Sequence, residues 1–323
     1  MKTLVLALCC VLTLASCQKE FSINDPNNNG NNGGSNNGNE PPKGGSDGTL
    51  LLKIYQVNTK NDTIATSFSY DTNDRVIGYT LKGKDDTTKY DMALKFTRDA
   101  DGKITQLEKS MKLKDLPGAD AFTAFGLSPD DPVKIEMDVH YPAGSKEFDY
   151  TVETTDLKNA TLVTKKQYTY TNGKITNVAA YQTVSMFGTV LQKEQLTMQY
   201  EYIYATNGNI SSFRISMLDP SAPQSTSLKL TEIVNYTYND KKSSIPFSNE
   251  YFLWQQDGSN SNNFLTEMSI NDDKNKPFVV MEFKNAIFNS HDLVQACNMV
   301  ITSDVDPPTP PTSEQYKRTF YYK

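Results

Sequence analysis

The chain has few of the residues that carry redox and nucleophilic chemistry: 4 Cys, 2 His and 1 Trp in 323 residues. Cys9 and Cys10 lie in an N-terminal apolar stretch and Cys17 follows it, so only Cys297 belongs to the body. A single thiol excludes a disulfide framework, and His291 gives it no more than one companion for a soft-metal site. In Ala296-Cys297-Asn298-Met299-Val300 the cysteine reads as a small buried hydrophobe. His140 and His291 are the only imidazoles, and there is no Gly-x-Ser-x-Gly, so nucleophile–base machinery is thin. His140 reads instead as a strand residue entering the Pro142 to Ser145 turn. No Gly-rich phosphate loop leads from a strand into a helix. Positive charge is not in excess either: 32 Lys+Arg face 38 Asp+Glu, for a net charge of -6. That argues against a nucleic-acid partner, which needs a concentrated basic surface. Mean hydropathy is -0.55, and beyond the N-terminus no run approaches the roughly 20 apolar residues of a spanning helix.

What is present begins with an address. Met1 to Ser16 carries one charge, Lys2, then an apolar run from Leu4 to Leu14, the pattern of a secretory signal. It ends in Leu14-Ala15-Ser16-Cys17, which resembles a bacterial lipobox. The resemblance implies cleavage before Cys17 and lipidation of its thiol, where two or three acyl chains anchor stably and one would not. Gln18-Lys19-Glu20 carries a single acid where Bacteroidota-type surface lipoproteins carry a short acidic signal, which leaves cell surface and periplasmic face both open. From Asn24 to Gly48, 16 of 25 residues are Asn or Gly and none is hydrophobic. Such a segment cannot bury enough surface to order itself, so residues 17–48 read as a flexible tether. About 30 such residues reach an r.m.s. distance of roughly 30 Å.

From residue 49 to 323 the expectation is a single all-β domain. The 18 Tyr and 15 Phe gather with Thr, Val and Ile in short alternating runs broken by Asn, Asp and Gly. Phe68-Ser69-Tyr70 turns at Asp71 to Asp74 into Arg75 to Tyr79, and Leu94-Lys95-Phe96 turns at Asp99 to Gly102 into Lys103 to Leu107. Tyr168-Thr169-Tyr170 and Tyr200 to Tyr204 each precede an Asn-Gly, at Asn172-Gly173 and Asn207-Gly208. Asn-Gly between alternating runs is the strongest short hairpin signal, because both residues accept positive φ. Val234 to Tyr238 leads to an expected turn at Asn239-Asp240. The units recur loosely, with 32 residues from Tyr170 to Tyr202 and 36 from Tyr202 to Tyr238. Helix is scarce: a turn or two over Asp120 to Phe125, and a short helix from Ser248, as N-cap, to Gln256. Asp306 to Ser313, with four prolines, reads as a loop. A dozen or more twisted strands curl or close, so a large curved antiparallel meander, barrel-like and built from degenerate hairpin repeats, follows.

Tyr170-Thr171-Asn172-Gly173-Lys174-Ile175, and Phe96 through Asp101-Gly102-Lys103-Ile104, resemble the YD-type hairpin repeats of bacterial surface proteins. With the lipobox and Tyr238-Asn239-Asp240-Lys241-Lys242…Pro246-Phe247, the chain resembles Bacteroidota lipoproteins of unknown function with a porin-like, curved antiparallel fold. The resemblance implies a fold and an outer-membrane location but no catalytic residue. The polar stretch from Ser110 to Pro132 departs from the hairpin rhythm. The same resemblance implies O-glycosylation at Thr63 in Asp62-Thr63-Ile64 and at Thr87 in Asp86-Thr87-Thr88.

Rings at a period of two, in Tyr168/Tyr170, Tyr200/Tyr202/Tyr204, Tyr236/Tyr238 and Phe320/Tyr322, share one strand face. Such ladders brace a sheet across strands or line a groove that stacks on sugars. Tyr170, Tyr202, Tyr204, Tyr238 and Trp254 are the candidate ligand-binding residues. Asn271, Asp273, Asn275 and Glu282 match calcium-loop spacing, but Lys276 stands where that loop needs Gly, so the segment reads as a hairpin turn. No cofactor or metal is called for. The expectation is a lipid-anchored, non-catalytic outer-membrane protein, on the cell-surface or periplasmic face, that binds a glycan. A purely structural or protein-interaction role is the alternative, and a carbohydrate-active enzyme, which needs two carboxyls facing across a cleft, is the weakest. An integral barrel is disfavoured, because Lys, Glu and Asp run throughout the strands.

Overall fold

The computed structural model describes residues 48–85, 88–115, 128–157, 160–218, 227–245, 247–254, 261–303 and 312–323. The leader, Cys17, the tether to residue 47, Thr87, Asp120 to Phe125 and most of the prolyl segment after Asp306 lie outside these residues.

Sixteen strands form one sheet. They are β1 (Leu51–Asn58), β2 (Thr63–Tyr70), β3 (Val76–Asp85), β4 (Thr88–Arg98), β5 (Ile104–Lys112) and β6 (Pro132–His140). Next come β7 (Tyr150–Leu157), β8 (Ala160–Thr171), β9 (Lys174–Met186), β10 (Thr189–Tyr204) and β11 (Ile210–Leu218). The last are β12 (Leu228–Lys242), β13 (Asn263–Asn271), β14 (Pro277–Phe288), β15 (Val294–Ser303) and β16 (Thr312–Tyr322). Each pairs antiparallel with its neighbour in sequence, and β1 pairs with β16 through Leu51↔Tyr322 and Asn58↔Tyr316. The expected meander therefore closes as a barrel, which removes every free edge.

Alternation decides what the barrel encloses. Along β6, Val133, Ile135, Met137 and Val139 are buried while Lys134, Glu136 and Asp138 are exposed. The same inward set continues through Met92, Leu94 and Phe96 of β4, Phe213 and Ile215 of β11, and Met268 and Ile270 of β13. These side chains belong to one contiguous buried cluster, so the lumen is packed rather than water-filled. Fully burying such a side chain contributes about 1.5–3 kcal/mol. The outer wall is polar, laced by the cross-strand ion pairs Lys82–Asp91, Lys134–Glu108 and Arg214–Glu201.

The hairpins obey local chemistry. Asn172 and Gly173 both take positive φ, 52° and 74°, as a two-residue hairpin turn requires. Asn207-Gly208 instead sits in a longer turn, where Ala205 N–H donates to Asn209 C=O and only Gly208 is left-handed. At Asn239-Asp240 the expected turn does not form: β12 runs through it to Lys242. The Ser110 to Pro132 stretch is likewise more regular than expected, since β5 continues to Lys112 and a 3-10 turn follows at Leu113–Asp115.

Both ends of the described chain meet at one rim, where the Leu50 and Lys323 backbones exchange hydrogen bonds. At this terminal end lie the described residues 247–254 of the connection between β12 and β13. There Ser248 caps a 3-10 helix at Asn249–Leu253, accepting from Glu250 N–H, so the expected short helix exists in tighter form. Its side chains reach across the barrel. Phe252 is fully buried edge-on to Tyr202, and Trp254 stacks on Phe96 with ring centroids 4.8 Å apart. Arg98 donates to both carboxylate oxygens of Glu250 at 3.0 Å. Contacts from β4 to β10 make this segment a plug. Phe252→Ala is expected to cost about 3–5 kcal/mol in urea unfolding; a loss below 1 kcal/mol would mean that the segment does not brace the barrel.

Candidate functional site

The five candidate rings all work within the barrel. Tyr202 is 2% exposed and stacked on Phe213 at 4.8 Å. Tyr170 donates its hydroxyl to Phe148 C=O at 2.8 Å, and Tyr204 donates to Ile175 C=O at 2.7 Å while Lys174 lies over its ring. Tyr238 stacks beside Tyr236, and Trp254 belongs to the plug. Tyr202, Tyr204 and Trp254 thus lie at the terminal end, and so do Tyr170, next to the last residue of β8, and Tyr238 in the last third of β12, each on a different strand from Tyr202.

The remaining candidates are dispersed. Thr63 opens β2, half-buried beside the β1–β2 turn. Cys297 is buried and its thiol is pushed up to about 12 by that burial, as befits an inert core residue. His140 ends β6 stacked on Tyr150 at 4.2 Å, and His291 is exposed in the β14–β15 turn. The calcium-spaced segment is the β13–β14 turn, where Asp272 accepts from the N–H groups of Lys274 and Lys276 and Asn275 is left-handed. Among the described residues no group of three His, Cys, Asp or Glu side chains is arranged to hold a metal ion.

A polar constellation that the sequence did not signal lies on the inner wall. Glu153 of β7 accepts from the Lys166 ammonium of β8 at 3.4 Å, and both side chains are largely withdrawn from solvent. Burial alone would lower the Lys166 pKa. The facing Glu153 carboxylate and the phenols of Tyr168 and Tyr200 outweigh it, and the net direction is upward. Tyr200 of β10 is held up by burial, offset by Lys166 and reinforced by Glu153, Tyr168 and Glu232. Glu232 of β12 is 5% exposed, its Oε2 makes no hydrogen bond within the described protein, and burial pushes its carboxyl up to about 7. β7 and β12 are five strands apart, so only curvature brings their carboxylates to one phenol. No sequence pattern encodes such a meeting.

A second inner polar group, Gln56, Thr66 and Arg318, lines β1, β2 and β16. The Arg318 guanidinium rests over the Phe283 ring at 4.7 Å, and burial lowers its pKa to about 9. At the far end of β3, β4 and β5 lies a recess of about 320 Å³ lined by Lys82, Gly83, Lys89, Tyr90, Asp91, Lys112 and Lys114, of which Tyr90 packs on the inner core.

Neither a protein-family model nor a curated protein sequence matches the chain. Among solved structures it is similar to a porin-like protein from Bacteroides uniformis ATCC 8492, with a TM-score of 0.46 and 10% identity over 85% of this chain and 99% of that one. A porin-like protein from Bacteroides vulgatus ATCC 8482 gives 0.44 and 8% over the same shares. At identities of that size, what this barrel does has to be read from its own residues.

The inner carboxylate gives a pH signature. The Glu232 pKa rises from an ordinary 4.5 to about 7 on folding, so the native state holds its proton more tightly. Stability therefore falls as pH rises through that window and stays low above it. Glu232→Gln is expected to match the parent at pH 5 and to exceed it by about 1–3 kcal/mol at pH 8. Denaturant titrations at the two pH values check this; an unchanged slope in the variant would assign the pH dependence elsewhere.

Proposed function

We propose that the protein is a non-catalytic envelope module, tethered to the outer membrane by a lipidated Cys17, that binds its ligand on the outer wall or at the end remote from the tether. The polarity of the wall carries this reading. Outward lysines such as Lys134 would cost about 2–4 kcal/mol each at a bilayer midplane, and the described inward side chains pack into one buried cluster. A body of this kind stays in water and needs a separate anchor. The chain enters at the plugged end, where Asn289 donates to Gly48 C=O. A tether attached there points the opposite rim away from the membrane.

The candidate rings are assigned to packing, since Tyr202 and its neighbours are satisfied inside. A glycan remains the favoured ligand class, now on the outer surface, and a scaffold or protein-interaction role is the alternative. Thr63 and Thr87 are retained as glycosylation sites.

The experiment compares the parent with Cys17→Ser in the native host. The parent is expected in the membrane fraction after a carbonate wash and the variant in the soluble fraction, both with the same thermal unfolding. A variant that stays with membranes would refute tethering through Cys17. In planar bilayers the purified protein is expected to add no conductance; discrete channel steps would overturn the closed-body reading.

A further inference from the structure

The hairpin of β9 and β10, with strands of 13 and 16 residues, starts at the terminal end, where Asn249 of the plug donates to Gly173 C=O. It turns at the opposite rim through Phe187-Gly188, between the register partners Met186 and Thr189. Both turn residues take positive φ, 49° and 77°, as Asn172-Gly173 does at 52° and 74°. Left-handed backbone suits Asn and Asp, whose short polar side chains meet the local backbone, and strains a bulky residue. Among the described residues, the other non-glycine residues with positive φ are Asn61, Asp74, Asn172, Asn275, Asn285 and Asp292, every one Asn or Asp. Phe187 is the exception.

Burial does not explain it. Phe187 is 73% exposed and Val190 beside it 53%, and with Ile287 they are the large hydrophobics that stand exposed among the described residues. The ring therefore strains its turn, adds little to the core and stands in water. Strain kept at a surface position with no return to the fold points to a contact outside the chain.

The setting selects the partner. The chain enters at the plugged end, where Asn289 donates to Gly48 C=O, so a tether there holds this rim on the side away from the lipid. A saccharide platform couples its ring to polar groups that fix the sugar, whereas Phe187 has no hydroxyl and its exposed companion is aliphatic. Two copies meeting tip to tip would bury roughly 200 Å² on each side, against about 800 Å² per partner in a stable interface. A protruding ring with a small apolar flank fits a concave site instead, where one fully desolvated aromatic anchor carries much of the affinity. A two-residue turn holds that ring rigidly, so little conformational freedom is lost on docking.

We propose that Phe187, with Val190 beside it, is an aromatic anchor at the rim remote from the tether and inserts into an apolar pocket of a partner protein. This rests on the reading of the barrel as a tethered module for the direction of the rim, and names a protein as what it meets there.

Phe187→Asn in the full lipoprotein is expected to leave the thermal midpoint equal to the parent's or up to about 4 °C above it, because Asn relieves the turn. A lower midpoint would mean that the ring serves the fold, and would overturn the proposal. In the native host, a photoreactive benzoylphenylalanine then replaces Phe187, Val190 or, as a control in the exposed β13–β14 turn of the same rim, Asp273. Irradiation is expected to give one discrete protein adduct from 187 and 190 and none from 273. Co-expression of an about tenfold excess of the parent chain should weaken that adduct about tenfold, and the same excess of Phe187→Asn less than about twofold. An adduct with the mass of two copies, an adduct to lipid or glycan, equal labelling from 273, or no adduct would each overturn the anchor. So would competition by Phe187→Asn as strong as the parent's. Fractionation of Cys17→Ser reads the tether alone, so a failed tether and a failed anchor give different results.

Discussion

The strict alternation of side chains along sixteen closed strands is the constraint on which everything else depends. A strand offers one face to each side of the sheet, and closure gives those sides unequal fates. Along β6, Val133, Ile135, Met137 and Val139 turn inward and Lys134, Glu136 and Asp138 turn outward, and most of the barrel's buried side chains are apolar. A membrane barrel of the same strand number makes the reverse choice, with apolar side chains against lipid and polar ones around a channel. Strand count and pairing are thus shared between two opposite physical objects, and side-chain polarity separates them. In this one, stability comes from filling the lumen.

Filling a lumen enclosed by sixteen strands asks more than two opposed walls can give at the ends. The plug between β12 and β13 answers at the terminal end, where Phe252, Trp254 and Glu250 tie β4 to β10 through one buried ring, one stacked ring and one bidentate ion pair. Along the inner wall, charged and neutral polar groups meet different fates, and the buried Gln56 amide makes no hydrogen bond among the described residues. Lys166 has Glu153, whereas Glu232, whose Oε2 makes no hydrogen bond among the described residues, has its carboxyl pushed up to about 7 by burial. These features make the interior a packed and titratable core. Surface chemistry is left to the outer wall and the far rim.

Much of the fold was legible in the sequence where local chemistry is decisive. Asn172-Gly173 makes a tight hairpin because both residues accept left-handed backbone, and Ser248 caps a short helix because its hydroxyl meets a free N–H. Where long-range pairing overrides local preference, reading fails. Asn239-Asp240 looks like a turn but is taken up as an irregularity within β12, which pairs with β13 on both sides of it, at Tyr238↔Leu265 and Lys242↔Asn263. Conversely Phe187-Gly188 makes the β9–β10 turn with a left-handed aromatic residue, a conformation that no propensity rule suggests. The ring ladders show the same limit for function. A period of two says that Tyr200, Tyr202 and Tyr204 share a face, but only closure of the sheet decides that the face is inside. Glu153, Lys166 and Glu232 are scattered over 80 residues, and only the curvature of the wall gathers them around Tyr200.

The inside-out polarity is tested most directly by single cysteines placed at neighbouring positions of β6, Glu136→Cys and Met137→Cys, and exposed to a water-soluble maleimide. The account predicts that cysteine at 136 reacts at the rate of a free thiol in the folded protein, while cysteine at 137 reacts only after denaturant is added. Equal rapid labelling at both positions would mean a water-filled lumen, and protection at 136 with reaction at 137 would mean that the wall faces the other way. Either result would contradict a barrel packed within and charged without.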